Sequence, residues 1–372
     1  MNKWSTKLLG DVAQAFNGKT PSRSEQRSEG YPVLKIKNVS EYGQFYGSFD
    51  SFVDRSFADK FDPKKIKPGD ILILNAAHNA DYVGSKIYLA ESHTYGALAT
   101  GEWLLIRASE NLFANYAYHW ISSLPVRHQI RDLVKGIHLY PKDLAKLQIP
   151  LPSLPEQRQI AAILDQADAL RAKRRESLAE LDKLAQSIFI EMFGDPFRNE
   201  KSWDVTSFEN SLTDETSLSP KLLQSGYLLK GTYPVIDQGQ DFIAGYYNNK
   251  DLLCKSSLPV IIFGDHTRII KLVRIPFVVG ADGAKVLKTK EYFDPIFMAV
   301  LLKLYPIPNL GYSRHMKEIK RIIFIAPPIE LQLKFRLKFE YLEELKNINK
   351  NFFNESGTLF SSLQHLAFRG EL

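Results

Sequence analysis

The stretch Ile149-Pro-Leu-Pro-Ser-Leu-Pro-Glu-Gln-Arg-Gln-Ile-Ala-Ala-Ile-Leu164 marks the place where a globule hands over to a long helix. Ser153 and Glu156 stand in the Ser-x-x-Glu order of a capping box, and Pro155 lies inside the first turn, where its missing N–H costs little. Apolar residues then fall at Ile160, Ile163, Leu164, Ala167, Leu170, Leu178, Leu181, Leu184, Ile188 and Met192. That is the three-and-four spacing of a helix with one greasy stripe. Gly194 is the natural stop. A helix of roughly 40 residues spans on the order of 60 Å, too long to leave its stripe without a partner.

The partner is written in the same chain. Gly136, Lys142, Asp143, Leu144, Leu147, Pro152, Leu154 and Gln157 return 175 positions later as Gly311, Lys317, Glu318, Ile319, Ile322, Pro327, Ile329 and Gln332. Ser187, Ile188 and Phe193 return as Ser362, Leu363 and Phe368. A period of this size is a whole domain plus a long helix, not a short solenoid unit. The second helix is expected over about Glu330 to Phe368, with Leu333, Leu337, Tyr341, Leu345, Ile348, Phe352, Leu359, Leu363 and Leu366 on its stripe. Ser356-Gly357-Thr358 is expected to break or bend it. Two such helices most economically pair with each other. The residues expected to carry the pairing are Ile160, Ile163, Leu164, Leu170, Leu181, Leu184 and Ile188 on one, and Leu337, Tyr341, Leu345, Ile348, Phe352 and Leu363 on the other. Antiparallel pairing would put one globule at each end of a rod.

Each globule is read as α+β. In the first, strands are expected at Tyr31 to Ile36, Ile71 to Leu74, Ile87 to Ala90 and Trp103 to Ile106, turns at Asn17-Gly18 and Pro68-Gly69-Asp70, and helices at about Leu112 to Leu124 and Arg127 to Val134. The second repeats the grammar with Tyr233 to Asp237, Leu258 to Phe263, Pro276 to Val279 and a helix at about Pro295 to Tyr305. Tyr31-Pro32-Val33 matches Tyr233-Pro234-Val235. The division is therefore a first globule over 1–152, a helix over 153–195, a second globule over 196–328 and a helix over 329–372. Equal scaffolds with unequal loops are what two differently tuned binding surfaces would show.

Composition sets limits on this. The chain has 372 residues, 44% hydrophobic and 24% charged, enough apolar material for two cores. A formal net charge of +6 permits a polyanion partner without requiring one. The single cysteine, Cys254, excludes an internal disulfide and any cysteine-based metal cluster, and is read as a buried structural thiol. No apolar run of signal-peptide or membrane-spanning length is present, so a cytoplasmic location is expected.

Catalytic signatures are missing. A methyltransferase needs a glycine-rich cofactor loop and, for adenine, an Asn-Pro-Pro-aromatic run; Asn309-Leu310-Gly311-Tyr312 is only a turn. No Gly-x-x-x-x-Gly-Lys-Ser/Thr phosphate loop occurs. Asp62-Pro63-Lys64-Lys65 imitates a nuclease cluster but is read as a solvated turn, and His78, His93, His119, His128 and His138 lack metal-ligand spacing, so no metal is expected.

The residues that open the first helix, together with Phe189-Ile-Glu-Met-Phe-Gly-Asp195, the ending Ala367-Phe-Arg-Gly-Glu-Leu372 and Gly18-Lys-Thr-Pro-Ser22, carry a resemblance. The chain resembles the specificity (S) subunits of type I restriction-modification systems along its whole length. The second signature, Ala326-Pro-Pro-Ile-Glu-Leu-Gln332, departs from the family's Pro-x-Glu-Gln order. The resemblance implies two target recognition domains held apart by two long antiparallel conserved helices in a pseudo-twofold repeat, each domain reading one half of a split, asymmetric double-stranded DNA site. It implies docking of two modification (M) subunits, which carry S-adenosylmethionine and methylate adenine, and of restriction (R) subunits that use ATP and Mg. No cofactor and no chemistry are implied for this chain.

DNA reading needs basic residues for phosphates and Asn, Gln, Arg or Lys for base edges. Candidates in the first globule are Lys35, Lys37 and Asn38 after one strand, Asn75, His78 and Asn79 after another, and Lys135, His138 and Tyr140 around Gly136. In the second they are Gln238 and Gln240, then His266, Thr267 and Arg268, then Tyr312, Ser313, Arg314 and His315 after Gly311. The Gly136 and Gly311 loops rank highest because they are equivalent in the repeat, and Lys142 and Lys317 are matched phosphate-contact candidates. A different class of reading is a protein-interaction adaptor with two repeated modules; a third is an enzyme with an unrecognised site.

Overall fold

The computed structural model describes residues 4–309, 311 and 313–372. The chain forms two compact units, Met1–Arg175 with Asn351–Leu372 and Glu176–Lys350, so each long helix contributes one half to each unit.

In the first unit an antiparallel sheet runs Ala13–Asn17, Trp103–Ala108, Ile71–Leu74, Ile87–Leu89. Ile71–Leu74 is apolar at every position because it is covered on both faces. Asp70, brought in by the turn at Gly69 (φ +79°), buries its carboxylate against the Arg107 guanidinium with bonds of 2.8 and 2.7 Å. A second sheet runs Gln26–Arg27, Phe52–Val53, Tyr31–Leu34, Leu98–Ala99, the last pair parallel. The short pairing of Thr6–Leu8 with Gln148–Pro150 closes the globule at its base, next to the long helix. Helices Ala114–Ser122 and Leu124–Asp132 cover the first sheet.

The second unit repeats the central sheet, the parallel pair and the base pairing, but one helix covers its sheet where the first unit has two, and its second sheet runs Lys221–Leu222, Val278–Gly280, Tyr233–Ile236, Gly245–Tyr247. Leu212–Asp214, Ala284–Thr289, Val260–Gly264 and Ile270–Val273 form the antiparallel sheet, and Tyr233–Ile236 pairs in parallel with Val278–Gly280 as Tyr31–Leu34 does with Leu98–Ala99. Val205–Ser207 pairs with Ile323–Ile325 at the base, and the apolar helix Pro295–Leu304 covers the sheet. Cys254 is half-buried rather than buried, with the Ser219 hydroxyl 3.4 Å from its sulfur.

The long helices are Leu154–Phe193 and Ile329–Arg369. At the start of the first, the Glu156 carboxylate accepts from the Ser153 N–H at 3.0 Å and from its hydroxyl at 2.8 Å, the reciprocal half of a capping box. The second passes without interruption through Ser356-Gly357-Thr358, against the expected break. Its hydroxyl residues turn back on the helix instead: Ser356 donates to the Phe353 carbonyl at 2.8 Å and Thr358 to that of Asn354 at 3.3 Å.

Within each unit the two half-helices run antiparallel. In the first, Arg171 stacks on the Phe360 ring and Arg174 on Phe352, so the partner number falls as the helix advances. In the second, Asp182 pairs with Lys346 at 2.5 Å and Phe189 lies edge-on to Phe335 at 5.3 Å. The stripe is only partly spent on this. Ile160 and Leu164 are buried in the first globule's core, while Leu181, Ile188, Leu345 and Leu363 are half-buried. Ile163, Leu170, Leu184, Leu337, Tyr341, Ile348 and Phe352 are exposed, with Leu170 at 62% and Leu337 at 69%. The stripe is wider than one neighbouring helix covers, and the aromatic pairing residues Phe189, Phe335 and Phe360 were not on the expected seam.

Candidate nucleic-acid interface

Two matched braces tie each globule to its long helix. Gln157 is buried; its Oε1 accepts from the Phe113 N–H at 2.7 Å and its Nε2 donates to the carbonyls of Asn111 (3.1 Å) and Pro152 (2.9 Å). Gln332 does the same in the second copy, accepting from Asp294 at 2.9 Å and donating to Tyr292 (3.2 Å) and Pro327 (2.8 Å). Each amide thus satisfies backbone groups that would otherwise be buried unpaired at the start of a covering helix. The altered second signature keeps this function in full.

A second duplicated device holds the candidate loops. The Lys86 ammonium donates to the carbonyls of Ile36 (3.2 Å) and Val39 (2.6 Å); Lys271 donates to those of Asp237 (2.9 Å) and Asp241 (2.5 Å). Burial lowers the Lys271 pKa, and the nearby Asp237 and Asp241 oppose the shift. Both lysines went unnoticed in the sequence, since a lysine beside a strand looks like a surface residue.

In the first globule the Asn75 and Gly136 loops meet. The Leu139 N–H donates to the Asn75 carbonyl at 2.8 Å, and Ala76 bridges to His138. Gly136 (φ +62°) turns a tight hairpin in which Lys135 and His138 exchange backbone bonds of 2.8 and 3.1 Å. A Cβ at Gly136 would touch nothing, so glycine is required by φ and not by space. The hairpin is anchored by Asp143, whose carboxylate accepts from Lys135 (2.6 Å) and Lys146 (2.9 Å), bonds that hold its pKa down at about 2. His78, Asn79, Lys135, His138, Tyr140 and Lys142 are exposed on this surface.

Other candidates are framework. Asn38 is buried, accepting from the Lys35 N–H at 2.9 Å and donating to the Ser48 carbonyl at 3.1 Å. Asn75 is buried with its amide donating to Asn17 at 2.9 Å. Lys35 and Lys37 both face Asp50. These asparagines are buried and hold their loops in shape.

In the second globule three loops converge. The Gln238 side chain accepts from the His266 N–H at 3.1 Å, its carbonyl accepts from the Thr267 hydroxyl at 2.6 Å, and the His266 ring meets the Ser313 carbonyl at 3.2 Å. Arg268 (φ +63°) donates to the Ile307 carbonyl at 3.0 Å. His315 is fully buried, its Nδ1 2.8 Å from the Asp265 carbonyl oxygen, while the Asp265 carboxylate accepts from the Met316 N–H at 2.7 Å. It belongs to the framework. Gln240, Thr267, Arg314 and Lys317 are exposed; Tyr312 lies outside the described residues.

A family model described as the type I restriction modification DNA specificity domain matches residues 1–182. A type I restriction enzyme MjaIX specificity subunit from Methanocaldococcus jannaschii is 23% identical over 384 residues, covering 89% of this chain and 85% of the relative. Among solved structures, a type I restriction-modification S subunit from M. genitalium aligns with a TM-score of 0.56 at 16% identity, covering 99% of this chain and 96% of that one. A structure described by the assembly and conformational transition of the type I R-M system aligns with a TM-score of 0.54 at 17% identity, covering 99% and 98%. These likenesses fall on the same duplicated globules and long helices that the braces organise: residues 1–182 match the type I specificity domain, and the whole chain is similar in sequence and fold to type I restriction-modification specificity subunits.

Proposed function

We propose that the chain is the DNA-reading subunit of a type I restriction-modification assembly, each globule recognising one half of a bipartite, asymmetric site. The observation that carries this reading is that one scaffold, built twice, presents exposed polar loops at the same place with unlike side chains: Lys135, His138 and Tyr140 around Gly136, against Arg314 after Gly311. Matched frames with unmatched loops are what two different half-sites require. Lys142 and Lys317, exposed and one repeat apart, serve as phosphate contacts.

The remainder of the reading concerns partners. Leu170, Leu184, Leu337 and Tyr341, left exposed on the long helices, are the apolar surface on which two M subunits dock. S-adenosylmethionine belongs to those subunits, ATP and Mg to the R subunits, and this chain performs no chemistry. The assembly works in the cytoplasm. Among the described residues no helix is long and apolar enough to cross a membrane.

Selecting bound or methylated duplexes from a random pool with the assembled complex tests the reading. A split motif with a fixed spacer is the expected result; recovery of no motif would favour a protein adaptor. Inserting four residues in the central helix lengthens it by about 6 Å, and base pairs rise about 3.4 Å each, so the preferred spacer should grow by one to two base pairs. Binding should weaken steeply with salt.

A further inference from the structure

Each unit carries a cavity between its globule and its long helices. In the first it has a volume of about 260 Å³ and is lined by Tyr42, Tyr118, Arg127, Asp168, Arg171 and Arg175. In the second it measures about 600 Å³ and is lined by Phe242, Lys303, Glu343, Lys346 and Lys350 among others. Asp168, Arg171 and Arg175 on one helix correspond to Glu343, Lys346 and Lys350 on the other at the full repeat of 175 positions. An acid, a base three residues on and a second base four further therefore face a cavity twice.

In both copies the first base is neutralised and the second is not. Arg171 donates to Asp168 at 2.9 Å, and Lys346 pairs with Glu343 at 3.5 Å and with Asp182. Arg127 and Arg175 in one cavity, and Lys303 and Lys350 in the other, form no ion pair among the described residues. Arg127 instead donates to the Ser85 carbonyl at 2.8 Å, and Arg175 lies over the Tyr42 ring. The Nε of Arg171 is buried with no hydrogen-bond partner. Burial, reinforced by Asp168, pushes the Tyr118 phenol up to about 12, which keeps its hydroxyl a donor at neutral pH. Two unneutralised cations beside spare donors in a small space match a compact, multiply charged oxyanion, and guanidinium forks suit tetrahedral oxygens.

We propose that each cavity binds one phosphate group, supplied either by a free phosphate or by the backbone of duplex DNA. This inference stands apart from the base-reading loops and does not need them. Equilibrium dialysis of the full chain against inorganic phosphate, at ionic strength held constant with chloride, should give two sites per chain. The double variant Arg127→Gln/Arg175→Gln should lose one site, and Lys303→Gln/Lys350→Gln the other, each by a tenfold or greater weakening, with unchanged thermal unfolding in the absence of phosphate. A short duplex that displaces the phosphate identifies the source as DNA backbone, and one that leaves it bound identifies a free phosphate. No phosphate bound at millimolar concentration, equal binding by wild type and both variants, or equal stabilisation by chloride would overturn the proposal.

Discussion

The two globules share their braces and differ in how the candidate loop is anchored. Gln157 and Gln332 do the same work at matched places, and Lys86 and Lys271 hold the corresponding loops from the edge strand, two positions apart in register. The Gly136 hairpin, by contrast, is tied by an ion pair between Lys135 and Asp143, whereas the segment after Gly311 is tied by the buried His315 and the Asp265 carboxylate. The loop anchors thus diverge while the glutamine braces at the base of each frame are kept. Readers can therefore change without disturbing the scaffold that aims them, because backbone satisfaction at the base is independent of loop chemistry.

The largest effect comes from exchanging a whole frame. Replacing residues 1 to 150 by the equivalent domain of a relative should change one half-site completely and leave the other untouched, as read from methylated DNA. A change in both halves would mean the globules do not read independently. Next is the brace itself. Gln157→Ala and Gln332→Ala each strand buried backbone groups and should cost about 2–3 kcal/mol in denaturant unfolding. Equal losses sharpen the equivalence. A silent Gln332→Ala would show that the departed second signature has lost its role.

Much of this frame was legible from residues alone. Ile71–Leu74 falls where its unbroken apolar run placed it, and Gln157 and Gln332 stood out as a repeated letter before their bonds were known. The loop readers were less legible. Asn38, Asn75 and His315 look like base-contact residues because they are polar and lie between strands, yet loops must also satisfy their own backbone, and short polar side chains are the usual means. The helix seam was read too broadly for a related reason: a stripe lists apolar positions without saying how much of it one neighbour covers. Leu337 and Phe335 are both apolar, but one is 69% exposed and the other fully buried, since only Phe335 faces Phe189 and Phe193.

Smaller effects separate the loop anchors. Lys86→Met and Lys271→Met keep the apolar stem and remove the ammonium that gathers two carbonyls, so each should cost about 1–2 kcal/mol. Amide exchange should quicken at residues 36–40 in the first variant and 237–241 in the second. Protection lost in only one globule would show that the loops after these strands are held differently, and the comparison would have to move there.

The smallest effect is specific to the first globule. Asp143 has a folded pKa below its ordinary value because Lys135 and Lys146 bond to its carboxylate, so its contribution is complete above about pH 4 and disappears as the pH falls towards 2. At neutral pH the pairing is intact, and only substitution removes it. Asp143→Asn should then loosen the Gly136 hairpin, quicken exchange at the Lys135 and His138 amides, and weaken binding of the first half-site by roughly threefold to tenfold. The second half-site should not respond, because its loop is held by a buried histidine and an aspartate that bonds backbone. Equal weakening of both halves would mean that the Lys135–Asp143 pair acts on the protein's general stability and not on one reader.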